Sequence, residues 1–459
     1  MALQFILGPS GAGKSEYIYE DIIRRTMQDE RENVIVLVPE QYSLEIQRKL
    51  VQKHPRGGSF QIDVIGFNRL AYRIFDELHI KPKKVLEDFG KSMLLRKAAQ
   101  EHKEELSLYA GSLDKAGFID EAKSLMSEIY QYDIPRERLR EALQKLDDSE
   151  EARVLARKLQ DMLVIFDAFE EKKGQSFIVA EQMLELLTAA AEQSELIAGS
   201  EIVLDGFTGF TPIQLNLISV LLRRAKKVTI VLTIDAATYE KKHVAEHELF
   251  ALTKQTIEHL LLTAEQAHVV VEPALFLGKD GCKRWSKGHP LAHLEQNLFR
   301  YPYRVGKDEE QAITITAYDT PAQELTGVAE QIRTLVMEQG YRYRDIAIVS
   351  GNLEETAEFA KRILPQYEIP YFIDMTMPVK NHPCVDALTH VLRIVDENFS
   401  YDSVFAFLKS GVVKSLEQSE IEMLENYVLA RGRKGIRSWS QPFLNGEDDT
   451  VDEMRQVVM

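Results

Sequence analysis

The stretch LQFILGPSGAGKS, residues 3–15, constrains this chain more than any other. A short apolar run, Leu3 to Leu7, meets Gly8 and then the spacing G-x-x-x-x-G-K-S, closed by Gly13, Lys14 and Ser15. The run reads as a buried parallel strand, and Glu16 to Met27 reads as a helix. In that order, loop N–H groups turn inward around a phosphate chain, at a helix N-terminus whose dipole favours an anion. Lys14 would reach the β- and γ-phosphates, and Ser15 would offer its hydroxyl to Mg²⁺. The candidate ATP-binding residues are therefore Gly8, Pro9, Ser10, Gly11, Ala12, Gly13, Lys14 and Ser15. A glycine turn can match such a pattern by chance, but chance does not require the strand before it and the helix after it. With the loop empty, Lys14 is expected to face solvent.

Further elements follow in an α/β rhythm. Val34 to Val38 reads as a second buried strand, stopped by Pro39, and Ile62, Val64 and Ile65 as a third, leading into a helix from Asn68. From about Val85 to Glu195 the apolar residues recur at helical spacing and strand-like runs nearly vanish, so a helical block is threaded into the α/β domain. Strands return at EIVLDGF and KVTIVLTID. Residues 282–310 read as a linker, rich in turn and charged residues. A second α/β unit is expected from AITITAYDT through a helix at Pro321 to Gln339, then DIAIVSG and IPYFID; past Phe399 the pattern is helical.

At 459 residues two to four domains are expected, and 45% hydrophobic content is enough for real cores. Cys282 and Cys384 lie too far apart in sequence to suggest a disulfide framework or a metal cluster, and each reads first as an apolar filler. The N-terminus lacks a signal peptide, and no apolar run reaches the roughly 18 residues of a membrane span. A cytoplasmic, reduced protein without membrane attachment is expected. A net charge of −16 argues against general affinity for nucleic acid while leaving room for a local basic groove.

These pieces together resemble the superfamily 1 helicase architecture: α/β, P-loop NTPase (RecA-like parallel sheet) domains with helical insertions. VLVPEQYSLEIQRKL (36–50) resembles motif Ia and VIGFNRLAYRIF (64–75) motif Ib, both on the DNA-facing side. IVLDGFTGFTPIQ (202–214) occupies the Walker B position, with Asp205 ending its strand. LVPEQ, GFNRLAYR and DGFTGFTP are closer still to the AddB/RexB subunits of bacterial AddAB-type helicase–nucleases, and the chain resembles an N-terminal portion of one. The resemblance implies a first RecA-like domain at 1–84 and 199–310, a helical insertion at 85–198, a second RecA-like domain at 311–396 and the start of another insertion at 397–459. It implies ATP and Mg²⁺ as ligands, the metal on Ser15 and Asp205, and DNA contacts from Gln41, Tyr42, Phe67 and Arg69. It also implies an AddA/RexA-like partner in a heterodimer, action on single-stranded and duplex-end DNA in recombinational repair, and reading of a Chi-type sequence. The family's nuclease domain and iron–sulfur cysteines belong to a C-terminal region that this chain does not contain.

The same comparison exposes departures from a working motor. Active helicases follow the metal-binding Asp with a Glu that orients water; here Gly206 follows Asp205. The next strand should lead into a glycine–aspartate–glutamine sensor but reads Thr233-Ile234-Asp235-Ala236-Ala237, and IAIVSGNLEETAEF lacks the arginine expected after its strand. Transition-state charge needs such groups, so hydrolysis by this chain alone is not expected, although the full heterodimer would be an enzyme. Two alternatives stay open, an active superfamily 1 helicase and a scaffold with a vestigial P-loop. Basic clusters at Lys81/Lys83/Lys84, Arg223/Arg224/Lys226/Lys227 and Arg431/Arg433/Lys434/Arg437 suit phosphate contacts and equally suit solvated faces.

Overall fold

A computed structural model describes residues 1–459 except 30, 82, 114, 147–148, 175, 279–281, 287, 308–311, 376–378, 380–381 and 445–449. The chain forms two compact units, Met1–Thr314 and Ile315–Met459.

In the first unit, β1 (Ala2–Gly8), α1 (Lys14–Gln28), β2 (Asn33–Leu37), α2 (Ser43–Lys53), β3 (Ile62–Ile65) and α3 (Phe67–Glu77) follow in sequence. Strand β4 (Lys84–Leu86) and β5 (Phe177–Val179) pair in parallel where the chain enters and leaves a helical block. The block holds α4 (Asp88–Glu101), α5 (Ala116–Gln131), α6 (Arg136–Gln144) and α7 (Glu150–Lys173), with a core of its own around Leu95, Met126, Ile165, Phe166 and Phe169. The chain then forms α8 (Gln182–Ala191), α9 (Glu195–Ala198), β6 (Ser200–Leu204), α10 (Pro212–Arg224), β7 (Lys227–Thr233), α11 (Ala236–Glu240), α12 (Ala251–Gln266), β8 (Val270–Val271), β9 (Leu275–Phe276) and α13 (Pro290–Asn297).

The main sheet is parallel throughout, in the order β3-β2-β6-β7-β1-β8, with β9 also on β1. This α/β arrangement is consistent with a RecA-like one. Helices cover both faces, which is why the strands read as nearly unbroken apolar runs. Leu3, Phe5 and Leu7 enter the layer formed with α3, α8, α10 and α12; Ile6 enters the opposite layer, against Ile18, Tyr19 and Ile22 of α1. The loop after β1 thus opens at the carboxyl end of the sheet. There α1 departs toward β2 while the strand beyond β1 on the other side is β8, a reversal that leaves a crevice for a ligand.

Two expectations differ from the structure. Helix α8 falls within the span expected for the helical insertion, yet Met183, Leu187 and Ala191 pack in the main sheet's core. Its length and apolar stripe resemble those of the neighbouring helices, so its periodicity could not say which core it joins. The second difference concerns the second α/β unit. Helix α14 (Pro321–Gln339) forms at the expected span and packs through Leu325, Ala329 and Ile332 on α15 (Leu353–Ile363). The apolar segments expected as strands join no ladder, and no strand forms among the described residues of this unit. Residues 346–350 and 369–374 line an apolar groove of about 650 Å³ with the two helices, while Val349 (93%) and Phe372 (88%) are exposed. A parallel strand needs a hydrogen-bonded neighbour and cover on both faces, and these segments have cover on one. Helices α16 (Pro383–Asp396), α17 (Tyr401–Leu408), α18 (Gln418–Arg431), α19 (Ile436–Trp439) and α20 (Thr450–Val458) share a separate core around Phe405, Leu424, Trp439 and Phe443. Among the described residues no helix is long and apolar enough to cross a membrane.

Leu187→Ala should lower the stability of the first unit by about 2–5 kcal/mol, because it opens a cavity in the sheet's core. Leu155→Ala, on an exposed face of α7, should change it by less than about 0.5 kcal/mol. Urea titration followed by circular dichroism measures both, and equal effects would remove α8 from that core.

Candidate nucleotide site

The loop between β1 and α1 turns through Gly11 and Gly13, both with positive φ, and Gly13 caps the helix. At Gly11 a side chain would run into Cys282 Sγ, so this position is glycine for space as well as for conformation. Lys14 does not face solvent as expected. It is 9% exposed, and its ammonium donates to the carbonyls of Gly8 (2.9 Å) and Pro9 (2.8 Å). Burial lowers its pKa, partly countered by the negative charges of Asp205 and Glu295. The loop therefore satisfies its own cation with its own carbonyls, as buried charge requires.

Asp205 follows β6 and is 5% exposed. Its Oδ2 accepts a 2.7 Å hydrogen bond from the Tyr19 hydroxyl of α1. Burial and the adjacent carboxylate hold the Tyr19 phenol protonated, well above its usual range, with the Ser15 hydroxyl as a second neighbour. Ser15 and Asp205, the expected metal ligands, are thus brought together around one phenol. Both offer hard oxygen, the donor type Mg²⁺ takes. Lys14, Ser15, Tyr42, Asp205, Gly206 and Arg284 line one groove of about 520 Å³.

Gly206 has φ +83°, and an added Cβ would lie 3.4 Å from Pro39 Cδ. The position where a working motor carries glutamate is here a left-handed turn, which an L side chain adopts at a cost. Asp235, in the altered sensor, caps α11 by accepting from Thr238 N–H and pairs with Arg300 at 2.7 Å. Both of its oxygens are committed to structure.

The four expected DNA contacts lie at the same carboxyl edge, Gln41 and Tyr42 in the turn after β2 and Phe67 and Arg69 in the first turn of α3. Gln41 and Arg69 are exposed. Tyr42 is in the wall of the groove that Lys14 and Asp205 line. Phe67 is half-buried, its ring 5.5 Å from Phe207. Glu40 joins the two loops by accepting from Asn68 N–H at the start of α3. Of the basic clusters, Arg223 pairs with Glu192 and Lys227 with Glu272; Arg431 and Arg433 lie over the rings of Tyr427 and Phe443.

The linker expected from residue 282 onward is instead partly built into this site. Cys282 Sγ donates to the Ser10 carbonyl (3.3 Å), and Arg284 N–H donates to the Gly11 carbonyl (3.2 Å). Helix α13 brings Glu295 toward Lys14, and burial raises the Glu295 pKa. Turn residues and mixed charge give a segment no periodicity, so nothing in its sequence marks it as a cover for a loop some 270 residues earlier. Among the described residues no three metal-ligating side chains cluster.

Tyr19→Phe should destabilise the first unit by about 1–3 kcal/mol, since it leaves the buried Asp205 carboxylate without a donor. Gly206→Ala should cost about 1–2 kcal/mol through φ alone. Urea denaturation checks both; a neutral Gly206→Ala would mean that the turn is not left-handed in solution.

Residues 5–295 match the family described as ADDB, N-terminal. The chain is 38% identical over 465 residues to the B subunit of the ATP-dependent helicase/deoxyribonuclease of Lachnoclostridium phytofermentans, covering 100% of this chain and 40% of that relative. It is 34% identical over 446 residues to the protein of the same name from Alkaliphilus metalliredigens, covering 97% of this chain and 38% of that one. The Clostridium novyi protein of that name is 31% identical over 457 residues, with 100% and 40% covered. The chain thus spans about two fifths of the length of these relatives. With the strand, the glycine loop and the Asp205 strand in one sheet, and a family match across well over half of its residues, the chain belongs to the AddB family, to whose N-terminal region it corresponds.

Proposed function

We propose that this chain is the N-terminal, nucleotide-binding module of the B subunit of an ATP-dependent helicase/deoxyribonuclease, and that it holds ATP without hydrolysing it. The observation that carries this reading is the groove in which Lys14, Ser15 and Asp205 converge at the carboxyl edge of the sheet. The relatives' shared name supports a subunit role in a helicase/deoxyribonuclease; the wider role in this reading is processing of double-strand DNA ends for recombinational repair beside an AddA/RexA-like partner. In this reading the chain forms a P-loop NTPase domain of superfamily 1 type with a helical insertion, followed by the beginning of a second such domain.

The chemistry follows from the residues. Loop N–H groups and the α1 terminus would take the phosphates, and Lys14 would exchange the Gly8 and Pro9 carbonyls for phosphate oxygens. Ser15 and Asp205 would hold Mg²⁺, which would supply charge neutralisation. Gly206 cannot polarise water, and Asp235 is occupied by Arg300 and the α11 cap. Gln41 and Arg69, with Tyr42 at the groove wall, form the edge along which a single strand would run, linking DNA to the nucleotide site. A working motor and a vestigial loop are the rival readings, and nucleotide affinity and turnover separate them.

Lys14→Ala should weaken Mg-ATP binding by about tenfold or more in calorimetry, since it removes the loop's own cation. It should also cost stability of the order of 1 kcal/mol, because two buried carbonyls lose their donor. Equal affinity in both proteins would leave the loop vestigial. Steady-state phosphate release should be negligible with or without single-stranded DNA, and Gly206→Glu should not restore it. Robust DNA-stimulated turnover that vanishes in Lys14→Ala would make this a working motor.

Single-stranded DNA should bind in preference to blunt duplex. Its affinity should fall with salt at a log–log slope of about −0.7 for each phosphate neutralised. Fluorescence anisotropy across a salt series measures this; a salt-independent affinity would remove the DNA reading.

A further inference from the structure

The segment that folds across the phosphate loop carries a cation into the site. Cys282 and Arg284 register the segment on the loop through the Ser10 and Gly11 carbonyls. The fit is close: a methyl group at Gly11 would meet Cys282 Sγ and lie 3.1 Å from Arg284 Cβ, and one at Gly13 would lie 3.2 Å from Lys283 Cδ. The Arg284 side chain lines the same groove as Lys14, Ser15 and Asp205. Its guanidinium lies 5.8 Å from the Trp285 ring. It is near enough to Lys14 for its charge to oppose that of the ammonium. Asp205 and Glu295 offset part of the positive charge at Lys14, and the backbone contacts of the segment bring a second cation, Arg284, to the same groove. A polyanion in the groove would meet both positive charges.

The position along the phosphate chain follows from Lys14. Its ammonium rests at the first half of the loop, on Gly8 and Pro9, and the segment is anchored on the next two residues. The helix N-terminus lies at the other end of the loop, so the distal phosphates belong beside Gly8–Gly11. We propose that Arg284 is a ligand for the distal phosphate of a bound nucleoside triphosphate. The guanidinium fork suits two phosphoryl oxygens at once, and this contact gives the site a means of distinguishing triphosphate from diphosphate. The proposal rests on the nucleotide-binding reading of the loop and assigns to it a ligand from a segment that reads as a linker.

The test is calorimetric titration of the chain with Mg-ATP and Mg-ADP, using wild type, Arg284→Ala, Arg284→Lys and Lys14→Ala. Arg284 is exposed, so its replacement leaves the core intact. Arg284→Ala should weaken ATP by about tenfold, as for a charge-assisted contact, and ADP by less than about threefold, with Arg284→Lys between wild type and alanine for ATP. Unchanged ATP affinity in Arg284→Ala, with binding lost in Lys14→Ala, would overturn the arginine assignment and leave the loop's role standing. Equal loss of ATP and ADP would overturn its placement at the distal phosphate. A wild type that binds neither nucleotide would remove the loop reading and this one with it.

Discussion

The hydrogen bond from Tyr19 to Asp205 ties the first unit's site together. Strand β7 lies between β1 and β6 in the sheet, so the phosphate loop and the acidic strand end do not touch through the backbone. The phenol of α1 spans that gap and supplies a buried carboxylate with the donor it requires. It sets the depth of α1 over the sheet, and with it the position of Lys14 and Ser15 at the helix start. A nucleotide site that opens at the carboxyl edge of a parallel sheet depends on such a cross-connection, because the strands supply its residues one at a time.

Around this connection, two positions at which the family resemblance implies that a working motor would carry catalytic groups have structural roles. Gly206 makes a left-handed turn against Pro39, and Asp235 is consumed by a helix cap and by Arg300. Neither group is merely absent; each position has a backbone or packing role that a catalytic side chain would disturb. Restoring one catalytic group would therefore conflict with local conformation before it contributed to chemistry. Lys14, too, is held by structure, its buried charge bonded to the Gly8 and Pro9 carbonyls.

The two units differ in how completely they use their apolar residues. In the first, every long strand has neighbours and helical cover on both faces. In the second, the runs at 346–350 and 369–374 line an apolar groove and leave Val349 and Phe372 exposed. Their composition suits buried strands, and composition alone cannot provide the neighbouring strand that a ladder requires.

Much of this was legible in the amino-acid order. The apolar run of β1, the glycine spacing and the helix after it depend on local chemistry, and so do the later strands at Val34 to Val38 and Lys227 to Thr233, because a strand buried on both faces must be apolar throughout. The start of α14 was legible for the same reason: Thr320 and Pro321 are local helix-start signals. The replacement of glutamate by Gly206 could also be seen there, though not its positive φ. Only the tertiary structure decided that α8 serves the sheet rather than the helical block, that Lys14 turns back on its own loop, and that Phe67 packs on Phe207. It also decided that residues 282–285 lie over Gly11. These outcomes depend on partners far away in sequence, and side chains whose spacing is locally featureless acquire their roles from whatever surface the fold brings against them.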